Sequence, residues 1–142
     1  MSTFVILYVI MLYAIFFNVT VITDNKIIDY TFLSPTGKNY GYTDIVKINT
    51  GVYGKKLYFP YTHSKGDFYY IIQLNDGTKI DLNEVGSNNN KLDYRFIIEK
   101  LDTQFVNMGI SKTSSIGNFV YCTQDLDEIY IKKIRNILMN IK

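Results

Sequence analysis

The chain has 142 residues with one cysteine and one histidine, and its 15 Lys and Arg against 13 Asp and Glu leave a formal net charge of only +2. One cysteine excludes an internal disulfide, one Cys and one His exclude the usual Cys/His zinc spacings, and so small a charge excludes a chain-wide basic footprint for nucleic acid. The length suits a single modest core, and 13 Tyr with 9 Phe favour a sheet within it.

Residues 4–22, FVILYVIMLYAIFFNVTVI, carry no charge. Nineteen helical residues rise about 28 Å, close to the roughly 30 Å of a bilayer core. A cleaved signal would want a basic start and a small-residue cleavage site, but Met1-Ser2-Thr3 is uncharged and Ala14 is the only alanine. A core helix would want a polar face, and residues 5–17 offer only two tyrosine hydroxyls. The expectation is an uncleaved transmembrane anchor over residues 1–22 and a globular domain over 23–142. Lys26 and Lys38 follow the run and no Lys or Arg precedes it, which places that domain on the cytoplasmic side of the cell membrane, single-pass.

The end of the run, Val19-Thr20-Val21-Ile22, is β-branched, and Asp24-Asn25 forms a turn before the strand-like Ile27 to Phe32. The anchor thus hands over directly to a strand. Alternation through residues 38–48 breaks phase near Asp44, which marks a bulge or strand end. Gly51 and Gly54 read as turn glycines, and residues 57–61 as a strand demoted to an edge by Pro60. In FYYIIQLNDGTKIDL, residues 68–82, two β-rich arms flank Asp76-Gly77 and predict a tight hairpin.

After the polar loop 86–90 the period changes. Tyr94, Ile97, Ile98, Leu101, Phe105 and Met108 fall at helical spacing, with Glu99, Lys100, Asp102 and Gln104 on the opposite face and Gly109 as the stop. Residues 110–123 read as loop with an edge strand at 119–122. A second amphipathic helix follows from Leu126, capped by Asp125 with Glu128 three residues on, its stripe running through Ile129, Tyr130, Ile134, Ile137, Leu138 and Ile141.

Chemistry-bearing motifs are few. His63, between two strands, reads as a surface histidine and Cys122 as a small buried hydrophobe. Gly51-Val-Tyr-Gly54-Lys55-Lys56 has two residues between its glycines, where a phosphate loop needs four. No catalytic residue, metal ligand or cofactor site is expected. The basic side chains Lys55, Lys56, Lys65, Lys132, Lys133 and Arg135 are the expected partner surface, for a protein or an anionic lipid headgroup.

The segments TDNKIIDYTF, GYTDIVKI, FYYIIQLNDGTKIDL and FIIEKLDTQFVNMGISK behind an apolar start resemble small membrane-anchored bacterial proteins of unknown function, and more loosely bacterial pleckstrin-homology-like domains. That resemblance covers most of residues 20–112 and carries no catalytic or binding residue. It departs in strand number, with about five strands before the first long helix where that fold has seven before one C-terminal helix.

The expected fold is therefore α+β: an N-terminal transmembrane helix, then an antiparallel β-sheet packed against two amphipathic helices. The expected function is a membrane-anchored, non-catalytic interaction module. The alternatives are a secreted or cell-surface structural domain and an enzyme working through carboxylates.

Overall fold

The structure is a computed structural model that describes residues 2–16, 19–57, 62–83, 93–124 and 126–141. Residues 58–61 with Pro60, the loop 86–90 and the Asp125 cap lie outside the described residues. The chain divides into two compact units, Met1–Asp44 and Ile45–Lys142.

The first unit opens with α1 (Ser2–Phe16), whose side chains from Phe4 to Met11 are exposed by 47 to 84%. Its 15 residues rise about 22 Å, well short of a bilayer core. The strand β1 (Val19–Ile22) then takes the last residues that a longer helix would need, because Val19 to Ile22 pair with Tyr30 to Ile27 of β2 (Lys26–Thr31). This corrects the expected span: among the described residues no helix is long and apolar enough to cross a membrane. The transmembrane part of the fold, and the single-pass cell-membrane placement built on it, go with that span. β-Branched residues and a hairpin partner 5 to 11 residues on won the contest for 19–22.

The turn between β1 and β2 is held by Thr23, whose N–H donates to Lys26 O at 2.9 Å. A third strand, β3 (Ser34–Gly41), completes an antiparallel sheet in the order β1-β2-β3, with a register shift between Asp29 and Thr31. Asp29 is nearly buried and accepts the Thr20 hydroxyl at 2.8 Å, and the Tyr42 hydroxyl donates to Thr23 O. The phase break near Asp44 is a 3₁₀ turn at Tyr42–Asp44, with Asp44 Oδ2 accepting the Gly41 N–H at 2.7 Å.

The second unit holds β4 (Ile45–Val52), β5 (Phe68–Leu74), β6 (Lys79–Asp81), α2 (Tyr94–Asn107), β7 (Ser111–Ser114), α3 (Phe119–Cys122) and α4 (Glu128–Met139). The sheet order is β6-β5-β4-β7, antiparallel except that β7 runs parallel to β4 with Ile48 opposite Lys112. The expected purely antiparallel sheet is thus two sheets, the second mixed. Helix α2 supplies the crossover that a parallel neighbour requires. The expected hairpin is present, with Gly77 at φ 88° in its turn.

Along β5 every second residue is buried, Phe68, Tyr70, Ile72 and Leu74, as a half-covered strand demands. Above that face lie Ile98, Leu101 and Phe105 of α2 and Ile134, Ile137 and Leu138 of α4, all buried. Each such side chain contributes about 1.5 to 3 kcal/mol by leaving water. Three local expectations change. Gly51 lies within β4 rather than in a turn, and a Cβ there would meet the Tyr69 hydroxyl at 2.5 Å. Residues 119–122 are helical, and the strand of this region is the polar Ser111–Ser114. Helix α4 starts at Glu128 behind Asp127, which leaves Ile129 and Ile141 more than half exposed.

The polar character of β7 has a physical cause. Lys112 and Ser114, two apart and so on one face of the strand, both reach the C-terminal turn of α4, where helix carbonyls lack intrahelical partners. Lys112 Nζ donates to Ile137 O at 2.5 Å and to Asn140 O at 3.0 Å, and Ser114 Oγ donates to Leu138 O at 2.8 Å. The third Lys112 proton goes to Asp102 Oδ1 at 2.5 Å, and this carboxylate also accepts the Tyr70 hydroxyl at 2.8 Å and Asn140 Nδ2 at 2.7 Å. Asp102 is 1% exposed, although the helical spacing of this segment puts it opposite the apolar stripe. Burial, helped by Asp102, pushes the Tyr70 phenol well above its ordinary value, and burial holds Lys112 below the usual lysine range, partly offset by Asp102.

Candidate functional site

Within the second unit a cleft of about 580 Å³ opens where four chain segments meet. The first is the turn ahead of β5. Ser64 N–H donates to Asp67 Oδ2 at 2.6 Å, Gly66 N–H to Tyr53 O at 2.8 Å, and Gly66 sits at φ 97°. A Cβ at Gly66 would stand 2.7 Å from Tyr121 O, so only glycine lets this turn lie against α3. His63 stacks on Tyr53 with ring centroids 3.6 Å apart and planes 11° from parallel. The expected surface histidine is instead a half-buried member of the cleft wall.

The second segment follows β6. Asp81 Oδ1 accepts the N–H groups of Tyr70 and Asn83, at 3.3 and 3.1 Å, which fixes the chain as it leaves the sheet. Asn83 Nδ2 lies against Phe68 O, which ties the side chain to the start of β5.

The third segment is the first turn of α2. Asp93 caps the helix by accepting the Arg95 N–H at 2.9 Å. The Arg95 guanidinium lies over the rings of Tyr94 and Tyr130, 4.9 and 4.4 Å from their centroids. Its Nε is 3.1 Å from Asp93 Oδ1, a charge contact whose N–H is not aligned on an oxygen that already holds the helix N–H. Burial pushes the Tyr94 phenol up, with the neighbouring Arg95 offsetting part of the rise.

The fourth segment is α3 with its following turn. Tyr121 contributes its ring to the wall and carries the Lys65 ammonium 3.6 Å above its centroid. Cys122 is buried as expected, its Sγ donates to Phe119 O at 3.0 Å, and burial pushes the thiol up. Held in that form, it is a poor nucleophile.

Of the six basic residues singled out from the sequence, the structure brings Lys65 alone into this wall. Lys55 and Lys56 are exposed beyond the end of β4, and Lys132 is exposed on α4. Lys133 is committed to Glu99 Oε2 of α2 at 2.5 Å, and Arg135 lies over the Phe119 ring at 5.3 Å. The sequence reading missed Arg95, Asn83 and Tyr121. Arg95 left one legible signal, a cation in the first turn of a helix, where the dipole disfavours positive charge.

Among the described residues, the buried side-chain nitrogens and oxygens without a hydrogen-bond partner are His63 Nδ1, Asn83 Oδ1, Arg95 Nε and Arg95 Nη1. All three residues line this one cleft. A shallower groove along α2 and α4 differs in this respect, because its Glu99, Asp102 and Asn140 side chains are paired with one another's neighbours. No group of three or more His, Cys, Asp or Glu gathers as metal ligands among the described residues. Comparisons with models of known protein families, with characterised proteins and with solved structures find no match to this chain.

Proposed function

We propose that this protein is a non-catalytic interaction module and that its partner docks in the cleft of the Ile45–Lys142 unit. One observation carries this reading: His63, Asn83 and Arg95, the residues that hold unpaired buried polar atoms, come from three separate segments and line a single cleft. An unpaired buried donor or acceptor costs about 1 to 3 kcal/mol, and three residues carrying that cost around one cleft mark it as a place kept for more than packing. The volume falls within the roughly 300 to 1,000 Å³ of ligand clefts, and the Tyr53, Phe68 and Tyr121 rings supply the apolar contact such sites use.

A non-catalytic role fits the side chains present. Cys122 is held as a thiol donating to a carbonyl, and the Asp67 and Asp81 carboxylates accept backbone N–H groups that build their own turns. Proton transfer or nucleophilic attack needs a group poised toward a reactant, and these are turned to structure.

The test is a titration of the full-length, ¹⁵N-labelled protein with a randomised pool of N-acetylated, C-amidated octapeptides, read by backbone amide shifts. Shifts confined to Gly66, Asn83, Arg95, Tyr121 and their neighbours are expected. Shifts mapped to the exposed face of α4 around Lys132, or none at all, would remove the cleft as the docking site.

A further inference from the structure

We infer that the Met1–Asp44 unit pairs with a second copy of this chain through the free edge of β1, the two strands running antiparallel about a twofold axis at Val21. This goes beyond the cleft of the other unit and does not depend on it.

Among the described residues four strands stand at sheet edges, and three of them carry features that discourage further pairing. β3 contains Pro35 and Lys38, and its register against β2 is broken. β6 is three residues long with a charge at each end, and β7 turns Lys112 inward to Asp102. β1 has none of these. Its residues Val19, Thr20, Val21 and Ile22 include no charge and no proline, its register with β2 is unbroken, and Val19 and Val21 are exposed.

This edge is complementary to itself. Because Thr23 N–H donates to Lys26 O, the alternation of an antiparallel ladder turns the main-chain groups of Val19 and Val21 toward β2 and those of Thr20 and Ile22 toward the open side. No main-chain group among the described residues bonds to that side. With Val21 opposite the partner's Val21, Thr20 and the partner's Ile22 exchange N–H···O bonds in both directions, and the axis repeats the exchange. The facing valines form a β-branched cross-strand pair on the exposed face of the sheet. A twofold contact sets each patch against its own copy, and residues 19–23 hold no charge to be repelled by that arrangement.

The size of the unit favours the same occupant. Chains near 40 residues usually need a disulfide, a metal or oligomerisation. The sole cysteine belongs to the other unit, and no metal-ligand group gathers among the described residues. Pairing at β1 joins two three-stranded sheets into a single sheet. A four-residue edge buries less than the roughly 800 Å² per partner of a standard interface. α1, separated from β1 by residues 17 and 18 alone, supplies further apolar surface, its side chains from Phe4 to Met11 being exposed by 47 to 84%.

The experiment is sedimentation equilibrium of the full-length chain at concentrations up to about 1 mM, the weak end of specific association. A reversible monomer–dimer equilibrium is expected. Val21→Lys sets two ammonium groups face to face and should raise the dimer dissociation constant at least about tenfold. Oxidative cross-linking tests the register. Opposed residues at a non-hydrogen-bonded site have Cα atoms about 4.5 Å apart, within disulfide range, so Val21→Cys should cross-link. Val19→Cys should not, because the axis places its copy about 13 Å away along the strand. The unaltered chain, whose Cys122 is buried, is the control. A chain that stays monomeric throughout overturns the second copy and leaves the edge to a different partner. A dimer that folded Val21→Lys leaves unchanged overturns the β1 interface. Association with cross-linking at both positions alike, or at neither, overturns it too and assigns the contact to surface elsewhere, α1 included. The cysteine comparison stands even if Val21→Lys fails to fold.

Discussion

Asp102 accepts from Tyr70, Lys112 and Asn140 at once, and Lys112 reaches two carbonyls of α4 with its other protons. Both side chains are all but closed to water, at 1% and 3% exposure. Removing one partner of such a pair strands the other charge, whereas replacing both by apolar groups of similar volume removes the desolvation penalty together with the attraction. Asp102→Ala should therefore lower unfolding free energy by about 3 to 5 kcal/mol in urea titrations, and the double variant Asp102→Leu with Lys112→Met should lower it much less. A loss under about 1 kcal/mol for the single variant would show that the network is not closed to water as described. The sequence could not announce this cluster. Asp102 sits among Glu99, Lys100 and Gln104 in a pattern that reads as a solvated face, and its partners lie 10 to 38 residues away along the chain.

At the scale of elements, α2 and α4 are tied at their outer edges as well as through the core. Glu99 Oε2 takes Lys133 Nζ at 2.5 Å and Oε1 takes Asn136 Nδ2 at 2.7 Å. Burial acting alone would raise the Glu99 carboxyl, but the bonds from Lys133 and Asn136 outweigh it and hold the group below its ordinary value. A carboxylate depressed in the folded state contributes stability that is present above its unfolded value near 4.5 and is lost as pH falls through the folded one. Glu99→Gln should therefore flatten the acid limb of the stability profile below that point and cost no more than about 1 kcal/mol near neutrality, the link being partly solvated. Unfolding midpoints across the acid range check this, and an unchanged acid slope would mean that Glu99 does not supply it. Strongly periodic elements were legible in the sequence for the same reason that they are stable. The 68–82 hairpin and α2 carry their own turn and cap chemistry, Asp76-Gly77 in one and Gly109 beyond the other. Elements defined by a distant partner were not legible. The polar strand β7 exists because β4 offers a parallel edge and α4 offers bare carbonyls. The cleft was hidden likewise, since His63, Asn83, Arg95 and Tyr121 meet only after the sheet and α2 have formed.

For the whole molecule, the division after Asp44 carries a physical expectation. The Ile45–Lys142 unit buries Ile48, Tyr70, Ile72, Phe105, Ile134 and Ile137 almost completely, and all of these side chains are its own. The polar network of Asp102 and the four segments of the cleft also belong to it. The Met1–Asp44 unit buries far less: among its described residues Ile27 is fully covered, and Tyr40, Tyr42 and Asp29 are buried but not closed. Chains near 40 residues seldom reach independent stability without a disulfide or metal, and the sole cysteine lies elsewhere. A fragment beginning at Ile45 should accordingly fold by itself, with a single urea transition of slope about 1 to 3 kcal/mol per molar and intact near-ultraviolet tyrosine dichroism. Amide shifts at Gly66, Asn83, Arg95 and Tyr121 should match those of the full chain, because the groups that position them are retained. A fragment keeping helical signal but losing the tyrosine dichroism would be a collapsed state without fixed packing. It would mean that residues before Ile45 complete the core on which the cleft depends.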